Sequence, residues 1–166
     1  MSSSTSLWDP PSRLVAGVVA AAPVLAAALL GSFATTPNIP WYETLAKPPL
    51  TPPNWVFGPA WTALYILMAY AFYRVLRLEP ATLGRRAAIM TFFAQLVLNA
   101  SWSFAFFSAR SPQLGLVVIL PMAALLVATI VLFWRLDRVA GYSLAPTAFW
   151  VAFATYLNAG IFILNR

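Results

Sequence analysis

Five long apolar runs limit this chain more than anything else in it. They cover about residues 14–34, 51–74, 86–108, 112–134 and 142–164. A bilayer's hydrocarbon core is about 30 Å thick, and about 20 apolar residues of helix cross it. Inside hydrocarbon every backbone N–H and C=O must be bonded within the protein, so such runs fold as helices. Composition agrees: of 166 residues, 61% are hydrophobic and 8% charged, a balance foreign to water-soluble domains. The turns are too short for a second domain. We therefore expect an all-α membrane protein, one antiparallel bundle of five transmembrane helices over residues 1–166, with a polar tail at 1–12. The first run is too long for a signal-peptide core and reads as the first span.

Breakers set the ends of the runs. Ser12 and the Asp9-Pro10-Pro11 segment can start span one, and Pro37 and Pro40 should end it. Thr51-Pro52-Pro53 should start span two as a cap followed by prolines in the first turn. Pro59 should kink that helix and free a carbonyl, and Pro121 should bend span four. Gly17 and Ala21, then Ala27 and Gly31, lie four apart on span one, a spacing that lets another helix approach closely. That spacing leads us to expect a homodimer.

The net charge is +6, and the basic residues sit in tails and turns. They act as topology signals, and no nucleic-acid partner is expected. Arg13, Arg74, Arg77, Arg85, Arg86, Arg135 and Arg138 share one side; Lys47, Arg110 and Arg166 share the other. In a cytoplasmic-type membrane the arginine-rich side faces the cytoplasm. The expected setting is a bacterial cell membrane, with inner and outer membranes not told apart by the sequence.

Between spans one and two runs WYETLAKPPLTPPNWVFGPAWTALY, residues 41–65. Prolines at 48, 49, 52 and 53 fix φ and remove donors, so this loop is stiff and is not expected to form regular helix. It should fold over one end of the bundle. An interfacial aromatic belt accounts for Trp41 and Tyr42, but poorly for Trp61, which lies more than a turn inside the helix.

Much chemistry is excluded. There is no Cys and no His, hence no thiolate, no His-based triad and no His ligand for haem. Asp9, Glu43, Glu79 and Asp137 all fall in tails or turns. No carboxylate lies within a span to carry a coupled proton, and no cluster suggests a metal. Aromatic and amide groups remain. Phe57, Trp61 and Tyr65 share a face of span two; Gln95, Asn99, Trp102 and Phe106 share one on span three; Thr147, Trp150, Ala154 and Asn158 share one on span five. Amides in hydrocarbon need partners and so turn inward. These stripes either glue helices together or wall a pocket suited to a flat conjugated ligand. Their convergence favours the pocket.

The pattern Trp41-Tyr42, Leu45, Lys47-Pro48, Pro52-Pro53, Trp55-Val56-Phe57, Pro59, Trp61-Thr62, Leu64-Tyr65 resembles the signature of the TspO/MBR family, the translocator or tryptophan-rich sensory proteins. The resemblance continues in Gln95-Leu96, Leu98-Asn99, Trp102, Phe106-Phe107, and in Trp150, Phe153-Ala154-Thr155, Leu157-Asn158. It implies a five-helix bundle, often dimeric, with the loop between helices 1 and 2 as a lid. It implies ligands such as protoporphyrin IX, haem-related tetrapyrroles, sterols and synthetic benzodiazepine- or isoquinoline-type compounds, with no obligatory cofactor. Tyr42, Pro52, Trp61, Asn99, Trp150 and Ala154 fall on family positions that line the pocket. Some bacterial members degrade protoporphyrin IX in light, and Trp61 and Trp150 match the tryptophans implicated. The chain departs from the sterol motif of animal members: Leu157 is followed by Phe162 and Arg166 without the central Tyr. Span three, at Asn99-Ala100-Ser101-Trp102, carries one tryptophan where animal members have two. Three functions fit this reading: a tetrapyrrole-binding sensor, regulator or carrier; a light-driven porphyrin-degrading activity; and a passive transporter of porphyrins or sterols.

Overall fold

Three of the long helices begin where a side chain meets their unpaired first amides. The computed structural model describes residues 9–166, so most of the polar tail, residues 1–8, lies outside the described residues. Helix α1 (Arg13–Thr35) starts after Ser12, whose Oγ accepts the Val15 N–H at 3.2 Å. A 3₁₀ turn (Thr36–Asn38) and a short helix α2 (Ile39–Thr44) follow. After the loop come a 3₁₀ turn (Asn54–Val56), α3 (Phe57–Leu76) and α4 (Arg85–Ser103). A π-helical turn (Phe104–Ser108) ends α4. Helix α5 (Pro112–Leu136) is capped by Ser111, and α6 (Arg138–Leu164) by Asp137. Five segments are long and apolar enough to cross a membrane: Arg13–Thr44, Asn54–Leu76, Arg85–Ser108, Pro112–Leu136 and Arg138–Leu164. The chain is a multi-pass, all-helical membrane protein.

Several boundaries differ from those expected. Pro37 and Pro40 do not stop the first span; each sits in the opening turn of a new helical piece. Proline has no N–H to donate, and the first turn needs none. The chain therefore stays helical through Trp41 and Tyr42, and only residues 45–53 form the proline-stiffened stretch. Pro52 and Pro53 precede α3 rather than lying inside it, and no side chain caps that start. Pro59 falls at the third position of α3, so it interrupts no helical hydrogen bond there. Helix α6 starts at Arg138, four residues before the boundary read from sequence, because Asp137 alone ends α5 and starts α6. Pro121 lies inside α5 as expected, and Pro23 and Pro146 lie inside α1 and α6.

The spans close into a ring in the order α1, α3, α6, α5, α4 and back to α1. Helices α3 and α4, consecutive in the chain, meet mainly through long side chains, such as Phe72 stacked on Phe92 at 4.5 Å. The half of the bundle nearer the N-terminus is filled. Met68, Ala71, Phe72, Val75, Ala88, Phe92, Phe133 and Leu144 pack there with almost no exposure. At that end Arg85 donates to the carbonyls of Val75 and Leu76, closing the last turn of α3. The opposite half is not filled, and it carries the loop.

Candidate ligand cavity

Aromatic rings line the other half, around an open space. A cavity of about 490 Å³ lies between α1, α3, α4 and α6, beneath α2. This is within the range usual for small-molecule sites. From α3 come Phe57, Trp61 and Tyr65; from α4 and its π turn, Asn99, Trp102 and Phe106; from α6, Trp150, Ala154 and Asn158; from α2, Tyr42. The rings touch in series. Trp61 meets Tyr65 at 5.5 Å between centroids and Trp150 at 6.5 Å edge to face. Trp150 meets Phe57 at 6.0 Å, Phe57 meets Tyr42 at 6.3 Å, and Trp102 stacks on Phe106 at 5.4 Å.

The polar groups in the wall bond mainly to one another. The Tyr65 hydroxyl donates to Asn99 Oδ1 at 2.7 Å. Trp102 Nε1 donates to Asn158 Oδ1 at 3.1 Å, and Asn158 Nδ2 donates to the Pro112 carbonyl at 2.7 Å. Asn158, bonded at both its oxygen and its nitrogen, is thus held in one orientation. Gly115 makes room for this: a Cβ there would stand 2.5 Å from Asn158 Oδ1 and 2.9 Å from a Phe106 ring carbon.

Four residues proposed from sequence lie away from the cavity surface. Trp41 packs edge-on against Phe106 at 5.8 Å, behind the wall. Pro52 is half-buried in the loop. Gln95, one turn below Asn99, is buried with Nε2 4.0 Å from the Met68 sulfur. Thr147, one turn below Trp150, is fully buried, and its hydroxyl has no hydrogen-bond partner among the described residues. The filled core closes the cavity above their level. The sequence reading also missed the α1 side of the wall: Ala28, Gly31, Ser32 and Thr35. Its one signal was the Ala27–Gly31 spacing, read there as a surface for another helix. At Gly31 that helix is α4 of the same chain: its notional Cβ stands 3.2 Å from Ser103 Oγ, whereas Gly17 meets nothing within 4 Å.

The loop is fastened to α6. The Ala46 N–H donates to Asn165 Oδ1 at 3.0 Å, and Asn165 Nδ2 donates back to the Ala46 carbonyl at 2.9 Å. The Tyr156 hydroxyl donates to the Pro49 carbonyl at 3.0 Å. Between them Pro48 lies directly on Gly160, where a Cβ would fall 2.6 Å from two carbons of the proline ring. Across the loop, Asn54 Nδ2 donates to Glu43 Oε1 at 2.8 Å, and the Lys47 ammonium lies 4.8 Å from the centre of the Tyr42 ring.

Fold and cavity together define a helical membrane protein with an aromatic internal chamber under a fastened loop. Comparison with known proteins gives the family: residues 19–164 match the TspO/MBR family model, and the chain belongs to that family. It is 40% identical to the tryptophan-rich protein TspO of Archaeoglobus fulgidus over 154 residues, 92% of this chain and 97% of that protein. The tryptophan-rich sensory protein of Cereibacter sphaeroides is 39% identical over 125 residues, 75% of this chain and 77% of the relative. The human translocator protein is 34% identical over 139 residues, 82% of each.

Proposed function

We propose that this protein binds a tetrapyrrole such as protoporphyrin IX in the aromatic cavity and serves as a sensor, regulator or carrier in tetrapyrrole metabolism. The observation that carries the reading is the wall itself: Trp61, Trp150, Phe57 and Trp102 around about 490 Å³. A flat conjugated macrocycle gains most from ring faces and edges, and such contacts are worth about 0.5–1.5 kcal/mol each beyond area burial. Because Asn158 is committed to Trp102 and the Pro112 carbonyl, and Asn99 Oδ1 to Tyr65, the macrocycle's carboxylates would point toward the hydroxyls of Ser32 and Thr36, near the loop. Sterols and isoquinoline-type compounds are further candidates on size and apolarity. We assign the protein to a bacterial cell membrane, as a homodimer.

Light-driven breakdown of bound protoporphyrin IX by dioxygen is the second reading. The edge contact of Trp61 with Trp150 favours it, since both indoles would lie against one ligand. One experiment separates the two. Purified protein is incubated aerobically with protoporphyrin IX, in light and in darkness, while absorbance and tryptophan fluorescence are followed. Saturable quenching with the porphyrin conserved supports binding alone. A protein-dependent new pigment in light supports degradation. Absence of quenching would reject both.

A further inference from the structure

We propose that the opposite end of the bundle carries a second site, a groove that takes the phosphate of an anionic phospholipid headgroup. The groove is about 330 Å³ and is built from three elements. Arg13 is the first residue of α1; Tyr73, Arg74, Arg77 and Leu78 come from the end of α3; Asp137 joins α5 to α6. It lies at the far ends of α1 and α3 from the aromatic cavity and shares no lining residue with it.

The charges are unbalanced. Three guanidinium groups face one carboxylate. Arg74 is engaged, with Nε at 3.0 Å and Nη2 at 2.8 Å from Asp137 Oδ2. Arg77 uses Nη1 on the Pro11 carbonyl at 2.6 Å, which leaves its other guanidinium nitrogens for a ligand. The Arg13 side chain is exposed at the rim. The same face of the protein carries seven arginines and three carboxylates, Asp9, Glu79 and Asp137, so its field attracts anions.

Depth selects the source of the anion. Helix ends of spanning segments lie at the membrane–water boundary, where lipid phosphates are. Basic pockets between helix ends on the positively charged side suit anionic headgroups. A guanidinium fork matches phosphate oxygens in pairs, which an ammonium cannot do. Tyr73 and Leu78 supply an apolar flank along which the glycerol and acyl chains can descend.

The test uses the full-length protein, delipidated in detergent and titrated with phosphatidylglycerol, with phosphatidylcholine, or with inorganic phosphate. Native mass spectrometry and thermal melting are the readouts. Phosphatidylglycerol should bind in discrete copies and raise the melting temperature, while phosphatidylcholine should do neither. The double substitution Arg13→Gln, Arg77→Gln should weaken phosphatidylglycerol binding roughly thirtyfold, at about one charge contact per arginine. Arg13→Gln alone, which removes no hydrogen bond among the described residues, should give part of that loss with an unchanged melt in phosphatidylcholine. Equal retention of both lipids, or phosphatidylglycerol binding unchanged in both variants, would overturn the proposal. So would saturation by inorganic phosphate at millimolar concentration without discrimination between the lipids, which would make the groove a site for free phosphate.

Discussion

Asn158 ties three helices together at one point. It sits on α6, accepts from Trp102 of α4 and donates to the first carbonyl of α5. Asn158→Ala should leave the Trp102 indole N–H without a partner, at a cost of about 1–3 kcal/mol, while the Pro112 carbonyl keeps its place in the α5 ladder. A fall in melting temperature with the helical spectrum retained is the expected result. The tryptophans should respond differently. Trp61→Phe and Trp150→Phe keep much of the apolar area, so the fold should persist while porphyrin affinity falls by roughly 1 kcal/mol per lost ring contact. Any light-driven porphyrin loss should fall much further. Ala154→Thr adds bulk and a hydroxyl to a residue that is 9% exposed in the wall, and should displace the ligand or α6. Fluorescence titration and photolysis on the three variants check this; affinity unchanged in both Phe variants would remove Trp61 and Trp150 from the site. At this scale much of the wall was legible, because an aromatic or an amide at helical spacing inside a span has few places to go. The α1 wall was not. Ala28 and Gly31 carry no chemical mark, a single hydroxyl such as that of Ser32 is commonplace within a span, and a wall of small residues leaves little trace in sequence. Gln95 and Thr147 were misplaced because helical spacing gives the face of a residue and not its depth.

Single residues also decide how elements join. Asp137 ends one helix, caps the next and pairs with Arg74 of a third. Partial burial opposes its ionisation, but the hydrogen bonds from Arg74 and from the Ala140 N–H prevail and hold the carboxyl below the usual carboxylate range. Its stabilising effect is therefore complete above the unfolded value, about 3.9, and is lost as pH falls through the lower folded value. The melting difference between wild type and Asp137→Asn should accordingly shrink as the pH drops below about 4. Asp137→Ala should cost about 1 kcal/mol more than Asn at neutral pH, because Asn still caps α6. The loop offers a parallel test. Asn165→Ala removes both bonds to Ala46, and Gly160→Ala forces Pro48 away from α6. Either should speed ligand release roughly tenfold, the equivalent of one or two net hydrogen bonds. Stopped-flow dissociation of a fluorescent porphyrin would measure it, and unaltered rates in both would mean the loop does not gate the cavity. The stiffness of residues 45–53 was readable from their prolines, but their fastening to α6 was not, since Asn165 lies 119 residues further along the chain.

The whole molecule follows from hydropathy with few alternatives: long apolar runs and short turns make an antiparallel bundle. Because the chain has no cysteine, the topology can be read with single introduced thiols. Thr44→Cys and Ala81→Cys, both at exposed positions, should be labelled from opposite sides of the membrane. Labelling from one side would refute the arrangement. The order of helices around the ring was hidden, for hydropathy says that a span exists and not which spans touch. That order bears on how the protein is made. Helix α3, which carries Trp61, lies between α1 and α6, and α6 leaves the ribosome after the other four spans. Until then the newly inserted chain exposes the Trp61 face to lipid and has nothing to fasten its loop. A nascent chain halted after Leu136 should therefore be inserted but unable to retain porphyrin, and membrane quality control would meet its open flank before the protein had any ligand to protect.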